Sequence, residues 1–240
     1  MRTMKTDFKN GAELLALCQA QKCRISDIMQ QRECQETESS MSDIVSRMKE
    51  AWKIMEESAR SPIISPRKSI GGLIGGEAKC LSEQLKAERD ICGSPISRGI
   101  MYAMAVLEVN TSMGLIVAAP TAGSAGIVPG VLLALKEEHG FGDERIIDAL
   151  FNAGAVGYLA MRNATVAGAV GGCQAEVGVA SAMAASAAVE LMGGTPSQCL
   201  NAASTVFMNM LGLVCDPVGG LVEYPCQMRN ASGVANAFIA

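Results

Sequence analysis

Histidine is nearly missing from this sequence: His139 is the single one among 240 residues. That argues against a Ser-His-Asp triad, a zinc site with several His ligands, or a two-His metal site built within the chain. His139 itself sits in Lys-Glu-Glu-His-Gly, where the plain reading is a solvated side chain near a helix C-terminus, favoured by the dipole. No C-x-x-C occurs despite nine cysteines, which weakens zinc-ribbon and thioredoxin readings. There is neither a Walker A sequence nor a G-x-G-x-x-G following a strand. Lysine all but vanishes beyond residue 100, where Lys136 stands alone in a charged stretch, so a Schiff-base lysine for pyridoxal chemistry is poorly supplied. The net charge is −4 with no basic stripe, against an electrostatic nucleic-acid binder.

The charge that is present lies unevenly. Residues 1–100 carry 16 Lys/Arg and 14 Asp/Glu, whereas residues 101–240 carry 4 and 10. In that second part 27 Ala and 18 Gly fill nearly a third of the positions. Two windows, 109–135 and 191–215, hold no charged residue and are long enough to span a bilayer. Pro120 and Pro129 break the first, and Pro196, Gln198, Asn201 and Asn209 interrupt the second. Neither has aromatic belts or a Lys/Arg loop asymmetry. Small residues instead point to helices approaching closely in a soluble core. No signal peptide is visible, so a cytoplasmic, reducing setting is expected, where clustered cysteines mean metal or redox chemistry more often than disulfides.

The pattern reads as helix after helix, with no alternating strand segment. Residues 11–23 present Leu14, Leu15, Leu17 and Cys18 on one face. Ser26 is expected to cap a short helix, and Ser42 a better one carrying Ile44, Val45, Met48, Trp52 and Met55. Residues 60–68 read as a linker by Pro62 and Pro66, and 71–76 as a flexible Gly-rich segment. Ser97 is expected to open a long helix to about Ser112. Further helices are expected over 126–138, 143–161, 174–192, 196–211 and 230–240, with Asp143, Glu144 and Thr195-Pro196 as starts. The expectation is an all-α helical bundle with buried central helices and Gly-rich loops. It divides into an N-terminal helical arm (1–60), a linker with the Gly-rich loop (61–95) and a helical core (96–240) that breaks off at Ala240 as if truncated.

Three Gly-rich segments remain as candidates for chemistry: 118–130, 163–178 and 212–230. They set Cys173, Cys215 and Cys226 beside Gly or Pro turns at intervals of 42 and 11 residues. Glycine lets backbone N–H groups approach an anion or a cluster, and a loop-to-helix junction adds a favourable dipole. The same glycines could equally serve helix packing and capping. Cys199 lies mid-helix and reads as a buried thiol.

The runs Asn110…Met113-Gly114, Pro120-Thr-Ala-Gly-Ser-Ala-Gly126, Gly171-Gly-Cys-Gln-Ala-Glu-Val-Gly178, Gly212-Leu-Val-Cys-Asp-Pro217 and Gly220-Leu-Val-Glu-Tyr-Pro-Cys226 together resemble the alpha chain of iron–sulfur L-serine dehydratases. The resemblance also covers Arg229-Asn230-Ala231, the opening Glu13-Leu-Leu, Ser26-Asp27-Ile28-Met29 and Gly72-Leu-Ile-Gly-Gly76, nearly the whole chain. It implies a lyase that turns L-serine into pyruvate and ammonia without pyridoxal phosphate. It also implies a 4Fe–4S cluster on Cys173, Cys215 and Cys226 with one iron left open. By place in the motifs it puts Gly75, Gly76, Thr121, Ser124 and Asn163 around the substrate, Arg229 against its carboxylate, and Glu176 and Asp216 beside the cluster. Glu176 and Asp216 could equally be helix N-terminal caps.

The resemblance further implies a beta chain as partner, without which this chain is expected to be inactive; no general base can be named. Gly71 and Ile74 depart from the pattern Ser-Gly-Leu-Thr-Gly-Gly, as do Arg162 and Thr165 from the commoner Asn and Ser. A related lyase acting on L-cysteine or L-threonine, or a non-catalytic helical scaffold, are the competing readings.

Overall fold

A computed structural model describes residues 6–240. Among these the chain forms eleven α-helices and no strand; Val218 and Leu221 make an isolated bridge. The helices are α1 (Gly11–Gln21), α2 (Ile25–Glu36), α3 (Met41–Ile64), α4 (Glu77–Lys86), α5 (Ser94–Thr111), α6 (Ile127–His139), α7 (Asp143–Asn163), the single turn α8 (Gly168–Gly171), α9 (Cys173–Leu191), α10 (Pro196–Met210) and α11 (Tyr224–Ile239). The all-α expectation holds.

Local chemistry sets several ends that sequence pattern misplaces. Ser40, not Ser42, caps α3: its hydroxyl accepts from the Asp43 N–H, and the Asp43 carboxylate returns to the Ser40 N–H, a reciprocal capping box. Ser26 lies inside α2, whose first turn is held by Asp27 accepting from the Arg24 N–H at 2.9 Å. Residues 60–64 are helix rather than linker, because α3 runs through a buried Pro62 to Ile64. The expected linker also hides α4. Helix α5 starts at Ser94, with Pro95 in the first turn where a missing N–H costs nothing. Helix α11 starts at Tyr224, six residues early, again with a proline in its first turn.

Helix α9 is the hub. It packs against α6, α7, α10 and α11 and buries residues on nearly all its faces, from Val177 to Leu191. Its sides are Ala, Ser and Gly, so neighbouring backbones come close. Helices α5 and α6 cross on glycine: a Cβ at Gly126 would stand 2.3 Å from the Ala103 carbonyl oxygen, and one at Gly130 2.6 Å from that of Gly99. The N-terminal helices share this core, with α2 against α7 and α3 against α5. Phe8, Leu14 and Trp52 belong to the same hydrophobic cluster as Val206 and Val234.

One polar group crosses the interior. Buried Glu190 accepts from Asn152 Nδ2 at 2.7 Å and from the Ser26 N–H, and Ser186 donates to Asn152 Oδ1 at 2.6 Å. Cys199 lies against this group with no exposed surface. Burial pushes its thiol up to about 12, with the Glu190 charge adding to the rise, so it is the buried, neutral thiol expected from sequence. His139 closes α6, exposed beside Phe141, also as expected. No described helix is long and apolar enough to cross a membrane.

Candidate active site

Two helix N-termini and three loops meet at one end of the hub. Cys173 is the first residue of α9 and is buried. Gly172 precedes it at φ +74°, and a Cβ there would sit 2.9 Å from the Leu213 carbonyl oxygen. Only glycine lets segment 212–215 lie so close. Two hydrogen bonds fasten that segment: the Gln174 N–H donates to Leu213 O at 2.8 Å, and the Gly212 N–H to Gln174 Oε1 at 2.9 Å. Cys215 is thereby drawn towards Cys173 while staying exposed.

Cys226 lies in the first turn of α11 and is buried. Burial pushes its thiol up to about 12, and the neighbouring charges of Glu176, Cys173 and Cys215 push the same way. Burial also raises the Cys173 thiol, which Arg229 counters by hydrogen bond and charge. Cys226 therefore has both other thiols as neighbours, and Cys173 has Cys215. They are not drawn tightly together: among the described residues no three His, Cys, Asp or Glu side chains form a ready metal-binding group. The donor set itself fits an iron–sulfur cluster, with three thiols, two of them at helix N-termini whose dipoles favour thiolate, and one guanidinium.

Arg229 is committed to protein groups rather than left open. Its guanidinium donates to the Val214 carbonyl, pairs with Asp216 at 2.7 Å, and hydrogen-bonds Cys173. Asp216 thus orients Arg229 from an exposed loop position instead of capping a helix.

On the other side of the thiols lies the turn 119–126. Thr121 donates to a Glu176 carboxylate oxygen and sits 3.1 Å from the buried Ser124 hydroxyl. Glu176 fills the space over Gly123 and Gly168, where added Cβ atoms would stand 2.6 and 2.3 Å from its oxygens. Asn230, fully buried on α11, holds the turn in place. Its amide donates to Gly123 O and Cys226 O, both at 2.7 Å, and accepts from the Gly126 N–H at 3.1 Å. Sequence reading noticed Asn230 only as part of a run; a buried amide one helical turn beyond Cys226 is the signal it carried.

The Gly-rich loop 69–76 forms the third wall, and two carboxylates that sequence reading passed over support it. Glu223, 6% exposed, accepts from Ser69 Oγ at 2.6 Å, the Gly71 N–H at 2.6 Å and the Leu73 N–H at 3.2 Å. The Ser69 hydroxyl bond, with the two backbone bonds behind it, holds its carboxyl below the usual range. Glu108, with no exposed surface, accepts from the N–H groups of Ala78 and Arg67. Burial raises its pKa, and those backbone bonds and one from Gly76 oppose the rise. At Gly75 a Cβ would meet the Arg67 carbonyl oxygen at 2.8 Å. Its N–H donates to Glu77 Oε2 at 2.7 Å.

Asn163 does not point into this group through its amide nitrogen, which donates to Lys9 O and Leu159 O at 2.8 and 2.9 Å. Thr121, Ser124, Glu176, Arg229 and the three cysteines do surround one region. Several large apolar side chains elsewhere on the surface are also open, among them Ile70, Met113, Leu115, Val170, Leu211 and Val214 at 63–80% exposed.

Comparison with known proteins finds the family model described as Serine dehydratase alpha chain matching residues 20–240. The probable L-serine dehydratase, alpha chain, of Bacillus subtilis is 46% identical over 233 residues, covering 97% of this chain and 77% of that protein. The L-serine dehydratase, alpha chain, of Peptoniphilus asaccharolyticus is 41% identical, covering 97% and 80%. The L-serine dehydratase TdcG of Escherichia coli is 37% identical over 236 residues, covering 96% of this chain but 52% of that protein.

Proposed function

Because the chain belongs to the serine dehydratase alpha chain family, we propose that it is the cluster-bearing alpha chain of an iron–sulfur L-serine dehydratase, a lyase. The observation that supports this reading is that Cys173 and Cys226 lie in the first turns of two helices, with Cys215 on the loop beside them and the Thr121–Ser124 turn nearby. Cys173, Cys215 and Cys226 would hold a 4Fe–4S cluster, whose open iron would act as a Lewis acid towards the poorly leaving β-hydroxyl of serine. Overall, serine loses a Cα proton and its hydroxyl as water, and the resulting aminoacrylate tautomerises and hydrolyses to pyruvate and ammonia.

The chain's own residues prepare and orient. Arg229, steered by Asp216 and Val214, favours the thiolate of Cys173 and so is a ligand-supporting group rather than the carboxylate partner expected from sequence. The substrate carboxylate is assigned to the Gly75–Gly76 edge of the loop, where the Glu77 side chain now takes the Gly75 N–H and would be displaced. The hydroxyls of Thr121 and Ser124 lie 3.1 Å apart, with Glu176 holding that of Thr121. Asn163, tied to the arm, has no part in this assignment. Lys136, the one lysine beyond residue 100, is paired with Glu56 and Asp143 at 2.8 and 2.6 Å, in keeping with chemistry that dispenses with pyridoxal phosphate.

Exposed apolar side chains such as Met113, Leu115, Leu211 and Val214 fit a surface covered by protein, and this chain corresponds to only 52% of the Escherichia coli relative. A beta chain is therefore assigned as the partner that completes the enzyme. Nine free thiols suit a reducing compartment such as the cytoplasm, and the product suits serine catabolism feeding pyruvate and gluconeogenesis.

Anaerobic loading with iron and sulfide in the presence of the beta chain tests the reading. Pyruvate should form from L-serine in preference to L-threonine or L-cysteine, and Cys173→Ala, Cys215→Ala and Cys226→Ala should each lower bound iron. Undiminished iron and visible absorption in all three variants would overturn the ligand assignment.

A further inference from the structure

We propose that Glu223 is a positioning residue that locks the Gly-rich loop to the start of α11, so that the loop edge and the Cys226 thiol keep one fixed relation. The inference rests on the dehydratase reading above and adds a link between its two halves. Glu223 stands immediately before Tyr224, the first residue of α11, and three residues before Cys226. Its two oxygens are taken by three donors, all from the loop: Ser69 Oγ, Gly71 N–H and Leu73 N–H. With both oxygens occupied and the side chain buried, it acts on the loop and not on substrate.

Ser69 extends the hold. Its hydroxyl also accepts from the Ile74 N–H at 3.3 Å, and its own N–H donates to Ile74 O at 3.0 Å, closing the neck of the loop. Loss of the Glu223 charge therefore releases Gly71 and Leu73 directly and loosens Ser69 and Ile74 behind them. Gly71 matters for room: a Cβ there would stand 2.8 Å from Glu223 Oε1 and 2.4 Å from Leu221 Cδ1. At the position where the resembled pattern carries serine, this chain has left space for the carboxylate. The opposite end of the loop is held independently by Glu108 on α5. Glu223 thus joins the loop to the thiol-bearing segment through three bonds, beside a single longer link from Gln227 Nε2 to the Glu77 oxygen that holds the Gly75 N–H, at 3.4 Å.

The test uses the loaded complex of this chain with its beta chain, comparing wild type with Glu223→Gln and Ser69→Ala. Backbone hydrogen exchange, read by mass spectrometry, should speed up about tenfold or more over residues 69–76 in Glu223→Gln, and less in Ser69→Ala. KM for L-serine should rise about tenfold with kcat within about twofold of wild type, and iron per chain should not change. Unchanged loop exchange in both variants overturns the clamp. Faster exchange with an unchanged KM overturns the positioning role, as does a fall in kcat alone. Should Glu223→Gln fail to fold, Ser69→Ala carries the same comparison. A wild-type complex inactive on serine would sink the dehydratase reading, while loop exchange alone would still decide whether the clamp exists.

Discussion

The crossing of α5 and α6 gives a prediction whose sign is at stake. In Gly130→Ala, helix propensity favours the alanine by about 1 kcal/mol. The new Cβ, however, would stand 2.6 Å from the Gly99 carbonyl oxygen and 3.2 Å from both the Ala103 N and Cβ. These obstacles are backbone, or a methyl fixed to it, so no rotamer change relieves them and the two helices must part. Overpacking of this kind costs about 1–3 kcal/mol, and the absence of a flexible neighbour puts this site at the upper end. The net expectation is a loss of about 1–2 kcal/mol, or several degrees in Tm for a chain of this length. Gly154→Ala in α7 is the matched control: it is also a helix-interior glycine, but the nearest atom to its Cβ would be Met29 Cε at 3.9 Å. That variant should gain roughly 0.5–1 kcal/mol. Urea unfolding followed by far-ultraviolet circular dichroism, with m-values compared, measures both. If Gly130→Ala proves as stable as Gly154→Ala, the close crossing does not constrain the core and the reasoning fails.

Alkylation at about pH 8.5, near the ordinary thiol pKa, should label exposed Cys80, Cys92 and Cys215 first. Buried Cys18, Cys199 and Cys226, whose thiols burial holds at about 12, should resist until the chain unfolds; mass spectrometry of early time points checks the order, and early labelling of Cys199 would contradict it. The folded-state pKa of Glu223 is lowered, so its contribution to stability is complete above the unfolded value of about 4.3 and fades as pH falls through the lower folded value. Stability measured from about pH 6 down to pH 3 should therefore fall less steeply for Glu223→Gln than for wild type, and parallel curves would count against the clamp.

Most of the fold was readable from sequence because helices in a buried bundle announce themselves by apolar residues and Gly/Pro punctuation. Helices α6, α7, α9 and α10 lie within two residues of their expected ends. Several of the errors lie at prolines, and others at serines, Ser26 and Ser42, whose hydroxyls are not the caps their position suggests. Pro62 sits inside α3, and Pro95 and Pro225 sit in first turns, where their fixed φ suits a helix. The candidate thiols and the Thr121 turn could be named from sequence because long motifs mark them. Glu223, Glu108 and Asn230 could not, since each acts by accepting from, or bonding to, backbone groups far away in the chain, and spacing says nothing about such pairs. The partners of Arg229 could not be read in advance, since one of them, Val214 O, is a main-chain atom.

The central place of α9 bears on how the chain is made. Synthesis delivers α5, α6 and α7 well before residue 173, yet α6 and α7 both lean on α9, and α5 and α6 also lean on α11. Until residue 191 is clear of the ribosome, the sides of α6 and α7 that face α9 have no permanent cover, although α5 and α2 already cover others. Fragments ending short of α9 should therefore collect as aggregates, and the nascent chain should lean on chaperones through most of its length. The helix that opens on Cys173 is also the one whose late arrival turns a string of sticky helices into a protein.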